Sequence, residues 1–129
     1  VKEVGNRFLE ICGSNYTLIR SMLAGNTFGQ DGDIHTDWPN LNESITGVLY
    51  LSPRWQDSYG GETLVYDKNN TDYCEISNYK LGKLSIFDGA NPHIGKGPQR
   101  ECGELRCIIA VQAVKTDAWK KLLDSKHKK

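Results

Sequence analysis

Ile45-Thr46-Gly47-Val48-Leu49-Tyr50-Leu51 is a short run of β-branched and aromatic residues closed by Ser52-Pro53, and it reads as a β-strand. Outward from it, further strands read at short intervals. Tyr16 to Leu23 precedes it; Glu62 to Tyr66, Tyr73 to Ile76, Lys83 to Phe87 and Arg106 to Val114 follow. Clusters of Gly, Pro, Asn and Asp separate them, as in Tyr59-Gly60-Gly61 and Asp88-Gly89-Ala90-Asn91-Pro92. Short strands with turn signals between them predict a sandwich or barrel. Gly25 to Asp33 is rich in Gly and Asp and reads as loop. Val4, Phe8, Leu9 and Cys12 recur at helical spacing and stop at Gly13, which predicts a helix over Val1 to Cys12 with a glycine C-cap. Thr116 before Trp119, Leu122 and Leu123 predicts an N-capped closing helix over Thr116 to Leu123. The expected fold is an all-β core, a small antiparallel sandwich, with flanking helices.

Composition bounds the rest. A chain of 129 residues is enough for one domain (1–129, core about 15–115) with a single core. Hydrophobic content of 38%, charged content of 25% and zero net charge exclude a disordered or membrane-spanning chain. Charge balance argues against a nucleic-acid partner, because phosphate binding calls for a basic surplus or stripe. The basic cluster Lys126-His127-Lys128-Lys129 reads as a solvated terminus. No apolar run approaches the ~18 residues of a spanning helix, no signal-peptide pattern opens the chain, and no membrane contact is expected. The start, Val1-Lys2-Glu3, lacks methionine, as in a processed form or one missing an N-terminal piece. Cys12, Cys74, Cys102 and Cys107 include no C-x-x-C pair; they read as reduced thiols, and a cytoplasmic location is expected. The sequence carries no signature of oligomeric state.

The chemistry concentrates in Asp33-Ile34-His35-Thr36-Asp37-Trp38-Pro39. In an extended chain, residues i and i+2 share a side, so His35 and Asp37 present an imidazole and a carboxylate together. The folded body holds one more histidine, His93, at the end of the Lys83 to Phe87 strand and its turn. A sandwich can bring that turn to the His35 edge. Two imidazoles and one carboxylate on one face form the facial triad of non-haem Fe(II) oxygenases. An exposed loop pair with no metal is the competing reading of a lone His-x-Asp.

His35-x-Asp37, Tyr50-Leu51-Ser52-Pro53-Arg54-Trp55, Gly60-Gly61-Glu62-Thr63, His93 and Arg106-Cys107-Ile108-Ile109-Ala110-Val111 follow in an order that resembles the prolyl 4-hydroxylase-like branch of the 2-oxoglutarate/Fe(II) oxygenases. The resemblance covers roughly Leu23 to Val114 and implies a double-stranded β-helix, or jelly-roll. It implies His35, Asp37 and His93 as metal ligands and as the catalytic centre. It further implies that Arg106 pairs with the distal carboxylate of 2-oxoglutarate, a task suited to the guanidinium fork, and that Tyr50 adds a hydroxyl to that carboxylate. The same branch carries a tyrosine near the place of Asn26, so Asn26 either hydrogen-bonds the cosubstrate or caps a loop. His93 and Arg106 stand thirteen positions apart, which implies a longer connecting loop than the branch usually has. Arg100 is the rival to Arg106, but it sits in the loop Gly97-Pro98-Gln99-Arg100-Glu101.

The resemblance implies Fe(II), 2-oxoglutarate as cosubstrate and O2, and leaves room for ascorbate. It implies oxidative decarboxylation to succinate and CO2 coupled to hydroxylation of a C–H bond. Asp37, where halogenating relatives have Gly or Ala, favours hydroxylation. The implied substrate is a prolyl residue in a peptide or protein, with a free amino acid or small metabolite as the alternative. Trp38, Trp55 and Tyr59 either form an aromatic groove for an extended Pro-rich segment or pack on the sandwich. A nucleic-acid demethylase of the same superfamily would carry a second arginine where Gln112 stands. A non-catalytic jelly-roll binding module would not need Arg106 and Tyr50 beside a complete ligand set.

Overall fold

Alternation along two central strands decides which side chains meet which layer. In β2 (Ser44–Tyr50) and β7 (Arg106–Lys115), Thr46, Val48 and Tyr50 lie opposite Gln112, Ala110 and Ile108 on one face. Ile45, Gly47 and Leu49 lie opposite Ala113, Val111 and Ile109 on the other. The second set packs under α1 (Lys2–Cys12), whose Phe8 is 1% exposed, to form one apolar core. The first set faces a second sheet and forms the inner wall of the molecule.

The structure is a computed structural model that describes residues 1–37 and 43–127. Its larger sheet runs β1-β7-β2-β5, with β1 at Tyr16–Asn26 and β5 at Leu84–Asp88. The smaller runs β4-β3-β6, with β3 at Thr63–Tyr66, β4 at Cys74–Ser77 and β6 at His93–Gly95. All pairings are antiparallel. Helix α2 (Thr116–His127) follows β7 and closes the chain. The molecule is the jelly-roll with flanking helices that the sequence predicts.

Three differences separate the structure from the sequence reading. β1 continues through Gly25 to Asn26, residues expected in a loop, because β7 goes on pairing with it as far as Asn26 opposite Arg106. His93, expected in a turn, instead opens the three-residue strand β6, too short to show alternation. Elsewhere the expected strands end within a residue or two of the observed ones, and α1 ends at Gly13, with φ +105°, as expected. Thr116, expected as an N-cap, is the first residue of α2, and its hydroxyl pairs with Thr17 Oγ1 at 2.8 Å.

Gly47 is needed for the α1 contact. A Cβ there would lie 2.8 Å from Phe8 Cε2 and 2.9 Å from Val111 Cγ2. All four cysteines are free thiols. No helix among the described residues is long and apolar enough to cross a membrane.

Candidate functional site

His35 and His93 are held together by their own backbones. His35 N–H donates to the His93 carbonyl at 3.0 Å, and His93 N–H returns the bond at 2.9 Å. The His35 segment thus extends the smaller sheet beyond β6. Asp37 is fixed next door, its N–H donating to the Gly89 carbonyl at 2.9 Å. The short spacing of His35 and Asp37 and the sheet pairing of His93 bring three potential ligand atoms within 4.8 Å of one another.

Each imidazole also has its orientation set. His35 Nδ1 lies 2.7 Å from the Asp33 carbonyl, and His93 Nδ1 lies 2.8 Å from the Asn91 carbonyl. These carbonyls take an Nδ1–H and leave both Nε2 lone pairs for a cation, the usual support of a metal-binding histidine. The Nε2 atoms approach Asp37, at 3.5 Å for His35 and 3.3 Å for His93. Thr46 Oγ1 donates to Asp37 Oδ2 at 2.6 Å, orienting the carboxylate from β2.

Burial opposes charge on Asp37, yet hydrogen bonds from His93 and Thr46 outweigh it and hold the carboxyl below its usual range. Burial likewise opposes a proton on His93, but the bonds to Asp37 and Asn91 raise its pKa. Both shifts favour a proton shared between His93 and Asp37, and a divalent cation would displace it and satisfy the same carboxylate. Donor types, spacing and tautomer all fit a divalent iron with one face left open.

The triad lines a cavity of about 190 Å³ between the sheets, and Thr46, Thr63 and Arg106 line it too. Arg106 is 3% exposed. Its Nε donates to the Gly61 carbonyl at 2.7 Å and its Nη2 to Thr63 Oγ1 at 3.2 Å. None of the ion pairs among the described residues involves it. Burial pulls its pKa down, against weaker support from Tyr50, Tyr79 and Glu62. A buried guanidinium without a carboxylate partner is costly unless an anion arrives.

The backbone on both sides of Arg106 is clamped. Ser52 Oγ donates to the Leu105 carbonyl at 2.6 Å and accepts from Cys107 N–H at 3.0 Å. Tyr79 Oη accepts from the N–H groups of Leu51 and Ser52 and donates to the Cys107 carbonyl. Gly61 permits the close approach of the turn, with φ +73° and a would-be Cβ 2.7 Å from Trp55 Cζ2.

The other expected residues divide. Tyr50 is fully buried behind the cavity rather than lining it, and its hydroxyl donates to Thr63 Oγ1 at 2.9 Å. Asn26 is not among the lining residues; its amide donates to the Gln30 carbonyl at 2.8 Å, the loop-capping role of the two expected. Arg100 is exposed over the Phe28 ring, 5.4 Å from its centroid. Trp55 packs on Tyr79 and Tyr59 and bonds the Gly60 carbonyl, so it braces the turn. Trp38 lies outside the described residues. Thr46 has no role in the sequence reading, and Thr63 enters it only within the motif Gly60-Gly61-Glu62-Thr63; a threonine on a strand carries no signal of a site role until a fold places it.

Comparison with known proteins decides the family. The model of the 2OG-Fe(II) oxygenase superfamily matches residues 20–111. This chain belongs to that superfamily. The matched stretch includes the triad and Arg106. No curated protein matches the chain.

Solved structures share the fold. A 2OG-Fe(II) oxygenase family oxidoreductase from Burkholderia pseudomallei aligns over 77% of this chain and 45% of its own, with TM-score 0.63 and 14% identity. A prolyl hydroxylase from Trichoplax adhaerens, in complex with a hypoxia inducible factor oxygen degradation domain peptide fragment, aligns over 95% and 57%, with TM-score 0.65 and 21% identity. The non-heme alpha ketoglutarate dependent epimerase SnoN from nogalamycin biosynthesis aligns over 81% and 51%, with TM-score 0.59 and 10% identity. The chain spans about half the length of these structures.

Proposed function

We propose that this oxygenase hydroxylates a C–H bond of a prolyl residue in a peptide or protein, using His35, Asp37 and His93 to hold Fe(II). The observation that carries the oxygenase chemistry is the buried, carboxylate-free guanidinium of Arg106 in the same cavity as the triad. Two guanidinium N–H groups are spent on Gly61 and Thr63; the rest of the fork is left for the distal carboxylate of 2-oxoglutarate. Thr63 Oγ1 accepts from Arg106 and Tyr50 at once. Tyr50 is then a positioning residue that acts through Thr63, and the Thr63 hydroxyl proton is available to the same carboxylate.

Bound Fe(II) would supply O2 activation coupled to decarboxylation of 2-oxoglutarate, so that O2, 2-oxoglutarate and a C–H bond give succinate, CO2 and a C–OH group. The protein groups do the rest. Thr46 keeps the Asp37 carboxylate turned to the site, the Asp33 and Asn91 carbonyls accept from Nδ1 and so point Nε2 of each imidazole at the site, and Val48, Ile108 and Ala110 exclude water from the wall.

The prolyl reading draws on the Trichoplax prolyl hydroxylase, which aligns with 95% of this chain. Size supports a substrate that inserts only its reacting group. A cavity of about 190 Å³ is smaller than the ~300–1,000 Å³ typical of sites that enclose a whole small ligand. A free amino acid or small metabolite is the second reading, favoured by the fold shared with the SnoN epimerase.

Mass spectrometry after incubation with Fe(II), 2-oxoglutarate and O2 tests it. A +16 shift on proline-containing peptides with matching succinate is expected. A shift on free amino acids alone would move the assignment to a metabolite, and succinate with no modified peptide would reject the prolyl reading.

A further inference from the structure

Strand β1 carries one residue more than β7 can pair. Leu18 lies opposite Ala113 and Arg20 opposite Gln112, so Ile19 is the extra residue of a bulge. Leu18 packs in the core beneath α1. In an uninterrupted strand Arg20, two positions on, would face α1 as well. The bulge reverses its side, a recognised use of bulges beside active sites. Ser21 takes the helix face, with its hydroxyl donating to the Val1 carbonyl at 2.9 Å. Arg20 and Met22 turn instead into the cavity that holds the triad.

Arg20 also lines an outer groove of about 370 Å³, which shares His35 and Asp37 with the cavity and is walled by Ile19 and by Trp119 of α2. It therefore stands where the inner cavity opens outward. Arg20, Gln112 and Thr46 form one row across three adjacent strands, and Thr46 bonds Asp37. Two strand spacings separate Arg20 from Thr46, roughly 10 Å between backbones. The guanidinium donates to Met22 Sδ at 3.1 Å, a weak acceptor. No carboxylate among the described residues pairs with it. Its planar fork remains available for a carboxylate.

We propose that Arg20 anchors the substrate by binding a carboxylate that the substrate carries a few bonds from the C–H bond to be oxidised. Arg106 holds the cosubstrate's carboxylate at the buried side, and Arg20 takes a second one at the mouth. That the bound molecule is a substrate rests on the oxygenase reading above. A free acid can supply the group through its α-carboxylate, and a peptide through an acidic side chain next to the target.

Matched pairs separate these sources. The full chain with Fe(II) and 2-oxoglutarate, under nitrogen so that nothing turns over, is titrated calorimetrically. The probes are N-acetylproline against N-acetylprolinamide, and acetyl-Pro-Asp-amide against acetyl-Pro-Asn-amide. At least one acid should bind tenfold or more tighter than its amide. Arg20→Gln should reduce that ratio to about one, and Arg20→Lys should retain part of it, both with wild-type thermal unfolding. Discrimination in the first pair alone assigns a free acid, and in the second alone an acidic peptide. Equal affinities within both pairs in the wild type, binding of neither member of either pair, or an unchanged ratio in Arg20→Gln would overturn the proposal. If iron and 2-oxoglutarate fail to bind, the oxygenase reading falls by itself, and the same pairs titrated into the chain alone still decide Arg20.

Discussion

Arg106 concentrates the energetics of the site in one side chain. It is buried, it has two uncharged acceptors in Gly61 and Thr63, and no carboxylate among the described residues forms an ion pair with it. Replacing it by Gln removes the positive charge and half the fork. Truncating one partner of a buried charge pair costs about 2–5 kcal/mol. Arg106→Gln should therefore weaken 2-oxoglutarate binding by roughly 30-fold to several thousand-fold, read by calorimetry, while Fe(II) alone still binds. If Arg100→Ala has this effect instead, the cosubstrate contact has been placed on the wrong arginine. At this scale His35 and Asp37 were legible from spacing, because two residues apart in an extended chain means one side. Arg106 was legible only through its place in a family order. Arg20 was not legible at all: the face it takes depends on a bulge, and one inserted residue leaves no periodic mark in the sequence.

At the level of elements, the outer face of the larger sheet is covered by the close approach of α1. Gly47 makes that contact possible, since a methyl group there would meet Phe8 and Val111 at under 3 Å. Overpacking of this kind costs about 1–3 kcal/mol. Gly47→Ala should lower the urea midpoint accordingly, with an unchanged slope; a variant as stable as the wild type would show that α1 does not pack as described. Of the strands that carry the site, β1, β2, β3 and β7 were readable in type because turn residues bracket them, whereas β6 was not. Strand ends were less readable. β1 runs on through Gly25 and Asn26 only because β7 offers partners there, and β6 is defined by its pairing with β3 and His35 rather than by its own three residues. Long-range pairing of that sort has no local signal.

Over the whole molecule, the inner face of one sheet is ordered from a buried cation to an open one. Arg106 and Thr63 line the buried side, the triad also borders the outer groove, and Arg20 stands beside Trp119 where the two spaces meet. The jelly-roll explains this arrangement: two facing sheets give a dry wall of Val48, Ile108 and Ala110, while strand ends and connections supply the histidines and the aspartate. The overall architecture was legible in the count of short strands, and the identity of the substrate was not, because the groove beside the triad joins Arg20 at a bulge to Trp119 on a distant helix, a meeting with no local mark in the sequence. The central claim is that His35, Asp37 and His93 hold Fe(II) beside 2-oxoglutarate. Visible absorption of the full chain under anaerobic conditions tests it most directly. The account predicts a weak metal-to-ligand charge-transfer band that needs both Fe(II) and 2-oxoglutarate and disappears in His93→Ala. No band in the wild type, or the same band in His93→Ala, would contradict it.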